Sequence, residues 1–147
     1  MSKEEILKAH IEYVNWLDEL TNLNEMKGNT PYKEGKWSPN EIVMHLAEWD
    51  RFTLEERIPF MKEGAILETF PNFEVFNAKA AARANEQTFA ETLAYAKQQR
   101  QAIMEQLQQI DEVEWDKIFN IGEHEVTIRN YFVDFIEHDL HHKNQIA

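Results

Sequence analysis

The pattern of apolar and polar positions along this chain is that of amphipathic helices. From about Ser2 to Leu23, apolar residues recur three or four positions apart, which is the spacing of one helix face. A polar stretch with Gly28, Pro31 and Gly35 follows, and these residues commonly interrupt regular structure. We therefore expect a first helix over this segment and then an irregular connection.

A second helix has a clear start signal in the sequence. Ser38 can cap the helix, Pro39 suits its first turn, and Glu41 completes a capping box. The apolar period then continues to about Lys62, with Gly64 just beyond it. We expect this helix to run to about Lys62, with a kink or an earlier end at Pro59 as the alternative.

Two further helices complete the pattern. Good helix formers run from about Phe73 to Ile110 and predict one long third helix. A connector of roughly 16 residues follows, in which Glu123–Val126 could form a short extended piece. The last helix should begin near Thr127 and continue to the C-terminus. Four helices with one apolar stripe each predict an all-α fold, an up-and-down four-helix bundle, in a single domain of residues 1–147.

Composition narrows the range of functions. The formal net charge is -12, which argues against nucleic acid or an anionic membrane as a partner, because both attract basic surfaces. The chain has no cysteine, so disulfides, thiolate metal sites and a cysteine nucleophile are excluded. The first residues carry no apolar signal region, and the sequence has no run of about 18 apolar residues. We expect a cytoplasmic protein.

Helical phase selects three histidines for attention. With Ile42 at zero, His45 lies about 60° to one side of the second helix's apolar stripe and is enclosed by it. With Ile128 at zero, His142 lies about 40° and His138 about 80° from the centre of the last stripe, on the same side. The neighbouring His141 points about 140° away, towards solvent or a partner.

The spacing of His138 and His142 suits a metal ion. Residues four apart lie one turn above each other, so two imidazoles can chelate one ion. His45 would complete a set of three neutral nitrogens, which leaves positions open for water or substrate. The alternative is that each inward histidine is a hydrogen-bonded core residue, and sequence alone does not show that the three rings converge.

Other polar residues in the stripes have plainer interpretations. His10 is expected to be a core histidine, with a fourth ligand as the alternative, and His124 is expected to be solvated. Trp49 could form the wall of a pocket, but a core position is the simpler reading. Asp139 lies about 20° from the centre of the last stripe. We expect it either to be exposed at a wet end of the bundle or to be buried as a brace between helices, accepting from a donor such as Tyr13 or Trp16.

Two segments resemble motifs of the DinB/YfiT-like superfamily of four-helix-bundle proteins. The segment from Trp37 to Asp50, WSPNEIVMHLAEWD, resembles the second-helix motif, and His138–Ile146, HDLHHKNQI, resembles the last-helix motif. The resemblance covers essentially the whole chain in helix order and spacing. The family pattern places metal-binding histidines where His45, His138 and His142 stand.

The resemblance also carries expectations about activity. Characterised members of this superfamily include S-transferases and isomerases that use low-molecular-weight thiols, and members are often dimeric. The expected function is therefore metal-dependent transfer of a thiol to a small electrophilic substrate, or hydrolysis of that substrate. The expected cofactor is a divalent metal ion, zinc or nickel, since imidazole suits both. A homodimer is expected, and the alternative function is a non-catalytic bundle that binds a metal or a small molecule.

Overall fold

Side-chain caps determine where the long helices begin. The side chains of Ser2, Ser38 and Thr88 each accept a hydrogen bond from the backbone N–H three residues on. The glutamate at that position accepts a hydrogen bond in turn from the backbone N–H of the capping residue. The computed structural model describes residues 1–146. Its helices are α1 (Lys3–Leu20), α2 (Glu25–Gly28), α3 (Pro39–Glu56), α4 (Phe73–Ala84), α5 (Phe89–Gln109) and α6 (Ile128–Lys143).

Three helix boundaries differ from the sequence-based prediction. The predicted third helix is two helices, because the Thr88 capping box starts α5 afresh after α4 ends at Ala84. The predicted second helix ends at Glu56 instead of Lys62, and a short 3₁₀ helix, Ile58–Phe60, contains Pro59, whose ring suits such a turn and not a continuing α-helix. The segment predicted as a plain loop holds α2, which the side chain of Asn24 caps.

A small sheet covers one end of the helices. Its strands are β1 (Ile66–Leu67), β2 (Phe119–Ile121) and β3 (His124–Val126), and a second 3₁₀ helix, Glu112–Asp116, precedes β2. Strand β1 pairs parallel to β2, and β2 pairs antiparallel to β3. Gly122 turns the hairpin with a φ of 60°, a conformation that glycine adopts without strain. The predicted extended piece is therefore β3, whereas β1 and β2 carried no clear sequence signal.

The long helices α1, α3, α5 and α6 form the predicted four-helix bundle. Helix α5 packs against both α1 and α3, α1 packs against α6, and α4 lies on α3. One apolar cluster joins α1, α3 and α5, and a second joins α6 to the sheet and to parts of α1 and α5. No helix of the described part of the chain is long and apolar enough to cross a membrane.

A buried arginine ties three of these helices together. The Arg100 guanidinium on α5 is fully buried and donates from Nη1 and Nη2 to the two carboxylate oxygens of Asp139 on α6, at 2.7 and 2.8 Å. Its Nε and Nη2 donate to Asp50 on α3, at 2.9 and 3.0 Å. The guanidinium also lies 3.6 Å from the centre of the Tyr13 ring on α1. Burial raises the pKa of Asp50 to about 6, against the opposing effect of Arg100.

Asp139 is therefore a buried brace between helices, as one of the two sequence-based interpretations expected. The expected donor was wrong, because Arg100, and not Tyr13 or Trp16, donates to it. An arginine in the middle of a helix rich in Gln and Glu gives no sequence sign that it points inward. Only the packing of α5 against α3, together with the hydrogen bonds from Arg100 to α6, shows this.

Replacement of Asp139 by asparagine should weaken the brace and leave the metal site that the sequence predicts unaffected. The Asp139→Asn amide keeps one acceptor for Arg100 but loses the charge, so we expect the free energy of unfolding to fall by about 1–3 kcal/mol. Metal content should be unchanged. Urea unfolding and metal analysis of the same preparation test this, and loss of metal with unchanged stability would contradict a bracing role.

Candidate metal centre

Three histidines converge between α3 and α6. Nε2 of His138 lies 3.5 Å from Nε2 of His45 and 3.2 Å from Nε2 of His142. One ring nitrogen from each of the three lies within 4.8 Å of the others. His45 and His142 are buried, whereas His138 is exposed to the cavity beside the cluster. These are the residues that helical phase selected.

Hydrogen bonds hold the outer nitrogens of two of these rings. Nδ1 of His45 lies 3.0 Å from Oδ1 of Asn77 on α4, and Nδ1 of His142 lies 2.7 Å from Oε1 of Gln145. Each Nδ1–H donates to its amide oxygen, so each Nε2 is left with a lone pair directed at the centre of the cluster. Such partners fix the tautomer and orientation of metal-binding histidines.

The environment keeps these imidazoles neutral. Burial, followed by the proximity of His142 and His138, lowers the pKa of His45 to about 3. Burial, followed by the proximity of His142, lowers the pKa of His138 to about 4. Burial also lowers the pKa of His142. Neutral rings are the form that binds a metal ion.

Two of the three separations between the nitrogens match those around a tetrahedral ion. Nitrogens bound at about 2.0–2.1 Å in tetrahedral geometry lie about 3.4 Å apart, and Nε2 of His138 lies 3.5 and 3.2 Å from the other two Nε2 atoms. Three imidazoles supply three positions of a four-coordinate site. The cavity beside exposed His138 leaves room for a fourth ligand that is not a protein side chain, which is the arrangement of catalytic metal sites.

A large cavity opens beside the cluster. Its volume is about 640 Å³, within the range of small-molecule sites. Helix α3, the segment from Phe70 to Asn77, the β2–β3 hairpin and α6 supply its lining. Most of that lining is apolar, and Asp134 is its one carboxylate among the described residues.

The other candidate residues fall outside the cluster. His141 and His124 are exposed and line the mouth of the cavity, so His124 is nearer the site than expected. Trp49 lines the cavity, and the simpler reading of it as a core residue was wrong. His10 is fully buried, with its ring near Phe132 and Phe135 and its Nδ1 3.4 Å from Arg100 Nη1. It is a core histidine and does not belong to the cluster.

Sequence reasoning missed two residues that support the site. Asn77 reaches His45 from α4, a helix whose separate existence the sequence did not reveal. Gln145 follows His142 by three positions, and its place in the last-helix motif was the only sign of a role. Polar residues of this kind are common in exposed helix turns, so only proximity identifies them.

A bundle with three converging histidines and an open cavity defines a class of metal-binding helical proteins. The sequence matches the family model of the DinB superfamily over residues 8–146, and the chain belongs to this superfamily. No curated protein matches the sequence. Family membership rests on the match to the model, which covers nearly the whole chain.

Solved structures share the fold at low sequence identity. YfiT from Bacillus subtilis, described as "a probable metal-dependent hydrolase with an unusual four-helix bundle topology", aligns with a TM-score of 0.79 and 17% identity, over 98% of this chain and 83% of YfiT. An uncharacterised protein of Clostridium difficile 630 aligns with a TM-score of 0.78 and 12% identity, over 99% of this chain and 94% of that one. A Streptococcus pneumoniae protein aligns with a TM-score of 0.69 and 12% identity, over 100% and 93%. At these identities, the likeness supports the fold alone.

Proposed function

We propose that this protein is a metal-dependent enzyme in which His45, His138 and His142 hold a divalent ion, zinc or nickel. The observation that carries the proposal is the convergence of three Nε2 atoms beside an open cavity. When bound, such an ion lowers the pKa of a coordinated water or thiol and so supplies a nucleophile at neutral pH. The proposed reaction is attack of that nucleophile on a small electrophilic substrate.

The protein's own residues orient the site and shape the substrate pocket. Asn77 and Gln145 fix the rings of His45 and His142. The apolar lining excludes water around the substrate, which strengthens electrostatic interactions within the site. No protein nucleophile is needed, in keeping with the absence of cysteine from the chain.

The nucleophile distinguishes two versions of this function. Transfer of a low-molecular-weight thiol agrees with the activities that the family resemblance implies. Hydrolysis is favoured by one observation: no lysine or arginine of the described residues lines the cavity, so the carboxylates of a peptide thiol would find no cationic partner there. The description of YfiT as a probable hydrolase agrees with this second version.

Two linked measurements test the proposal. Metal analysis of protein purified without an affinity tag should find about one divalent ion per chain, because one cluster supplies one set of three ligands. The metal-loaded protein is then assayed with 1-chloro-2,4-dinitrobenzene and cysteine or glutathione, and separately with 4-nitrophenyl acetate alone. A rate that depends on thiol supports transfer, and ester cleavage without thiol supports hydrolysis. Equal rates for the wild type and His45→Asn in both assays would contradict catalysis.

The affinity for metal should fall at a lower pH than is usual for histidine ligands. Because the pKa values of His45 and His138 lie at about 3 and about 4 in the folded protein, protons compete with the metal only in acid. We expect affinity to stay nearly constant between about pH 8 and 6 and to fall as pH approaches 4, well below the free-histidine value of about 6.5. Competition with a chromophoric chelator measures this, and a fall centred near 6.5 would contradict the buried, neutral cluster.

A non-catalytic role is the alternative in which the bundle only binds a metal or a small molecule. The fourth coordination position discriminates between the two. Exchange of a small ligand such as azide at a cobalt-substituted site, followed by its absorption spectrum, would reveal an open position and favour catalysis. A spectrum that does not change with any added ligand would favour a closed, structural site.

We further propose that the chain forms one domain and pairs with a second copy. The Arg100 ion pairs, which join α3, α5 and α6 through one core, support a single domain. Several apolar side chains along the segment from the end of α3 to the first turn of α4 are exposed, which supports pairing; they include Phe60, Ile66 and Val75. Light scattering with size-exclusion chromatography should give about twice the 17.5 kDa mass of the chain. A monomer mass at micromolar concentration would contradict pairing.

A further inference from the structure

Aromatic rings form much of the cavity beside the three histidines. Six of them line it, in addition to the histidines, and they come from α3, α6 and the segments that flank them. They are Trp37, Trp49, Phe70, Phe73, Tyr131 and Phe135. This concentration of rings in a concave site restricts the chemistry of the ligand that fits.

Trp49 is the centre of one wall. Its ring centre lies 5.5 Å from that of Phe73 and 6.1 Å from that of Phe70. Phe76 packs against Trp49 at 4.1 Å but does not line the cavity, so it holds the indole from behind. Trp49 is also one helical turn from His45, with their rings 6.4 Å apart. A ligand that touches the histidine cluster therefore also reaches this indole.

Helix α6 supplies a second wall. The rings of Tyr131 and Phe135 lie 6.3 Å apart and nearly parallel, at 24°. The Tyr131 hydroxyl and Thr53 Oγ1, 2.9 Å apart, link this wall to α3. Flat walls on two sides suit a flat ring. Stacked and edge-to-face contacts between aromatic rings contribute free energy in addition to that of the apolar area they bury.

The charges around the cavity disfavour an anionic ligand. Asp134 is the only carboxylate in the described lining, and no lysine or arginine accompanies it. The whole chain carries a formal charge of -12, so the surrounding field repels anions. A carboxylate or phosphate on the part of the ligand away from the histidines would meet no compensating cation.

The mouth of the cavity exposes apolar rings to solvent. Phe73 is 55% exposed and Phe70 is 42% exposed, and the two rings stack at 6.0 Å. Exposed apolar surface at the rim of a concave site commonly marks a place where a ligand binds. A ligand bound there would cover both rings.

We propose that the substrate presents an uncharged aromatic ring, which lies against Trp49 while its electrophilic group faces His45, His138 and His142. This inference rests on the proposed function and names the class of substrate that its site accepts. Recognition comes from ring contacts and from the absence of a cationic partner. The ring binds whether or not the metal site is loaded.

Calorimetry with indole and indole-3-acetate tests this directly. The two probes share a ring and differ in charge, and metal-free protein is used so that a carboxylate cannot gain affinity by binding the metal. We expect indole to bind and indole-3-acetate to bind at least about tenfold more weakly, a difference of about 1.4 kcal/mol. Equal or tighter binding of indole-3-acetate, or no binding of indole, would overturn the proposal.

Matched variants locate the ring. Trp49→Leu should weaken indole binding at least about tenfold, and Trp49→Phe should restore most of it, because a ring is retained. Phe73→Ala should also weaken binding, and its exposed position makes misfolding an improbable cause. Tyr32→Ala is the control, since Tyr32 is an aromatic residue that is 60% exposed and does not line this cavity. Equal effects of Phe73→Ala and Tyr32→Ala would overturn the assigned location.

Metal analysis of the purified protein, carried out before the metal is removed for the titrations, separates this inference from the proposed function. Protein that holds one metal ion but binds no indole would refute aromatic recognition and leave the metal enzyme standing. Protein that binds indole through Trp49 but takes up no metal would refute the metal enzyme and leave the aromatic site. Thermal unfolding of each variant confirms that it is folded when it is titrated.

Discussion

His45→Asn should lower the affinity for zinc by more than about 100-fold, since loss of a partner that merely orients a ligand already costs about 10- to 100-fold. His45 supplies the only ligand nitrogen from α3, and the other two come from α6. Without it, His138 and His142 form a two-nitrogen site open to solvent. Zinc competition with a chromophoric chelator, with metal content measured after dialysis, gives the result.

The matched control for this variant is His141→Asn. His141 lies on the same helix as two of the ligands, and its ring is 5.0 Å from that of His142, but it lies outside the cluster. It should keep wild-type affinity. Asn77→Ala should fall between the two, with a loss of about 10- to 100-fold, because it only frees the outer nitrogen of His45. A His141 variant that loses metal as completely as His45→Asn would refute the assignment of ligands.

Arg100→Met should destabilise the protein by about 3–5 kcal/mol, because it leaves two buried carboxylates without a partner. Both Asp50 and Asp139 are buried, and both accept two hydrogen bonds from this one guanidinium. Methionine fills a similar volume, so the loss reflects charge more than a cavity. Urea unfolding at neutral pH measures the change in the free energy of unfolding.

Two comparisons make this result specific. Arg129→Met removes a two-bond ion pair with exposed Asp116 and should cost no more than about 1 kcal/mol. Removing all three charges, with Asp50→Leu and Asp139→Leu added to Arg100→Met, should recover much of the stability, since apolar replacement of a buried triad is often neutral. A cost below about 1 kcal/mol for Arg100→Met alone would show that water reaches the carboxylates.

The sequence by itself determined the bundle and the inward direction of three histidines, whereas their convergence is a property of the tertiary structure. Helix periodicity and capping boxes are local properties, so they specified where α1 and α3 begin without knowledge of the partners. Phase on each helix separately turned His45, His138 and His142 inward and His141 outward. Two motifs near opposite ends of the chain identified the superfamily, which the match over residues 8–146 confirms.

The sequence did not reveal the break within the third predicted helix or the small sheet, because the local signals for both are weak. The Thr88–Glu91 capping box competed with a continuous run of good helix formers from Phe73 onward, and periodicity did not decide between them. Strand β1 has two residues and pairs with β2 across more than fifty positions. Such a pairing exists only because the folded helices bring the segments together.

Only the tertiary structure decided which hydrogen-bond and ion-pair partners the inward polar residues have. The sequence placed Asp139 within the apolar stripe of the last helix, but the arginine that neutralises it lies 39 positions earlier on α5. It placed His45 within the apolar stripe of the second helix, but Asn77, which orients it, comes from a helix that the sequence merged with α5. Phase gives the direction of a side chain from its own helix, whereas hydrogen-bond partners and cavity walls depend on which helices meet and at what height. For this reason the three inward histidines were predictable from the sequence, and the ion network, the supporting amides and the aromatic cavity were not.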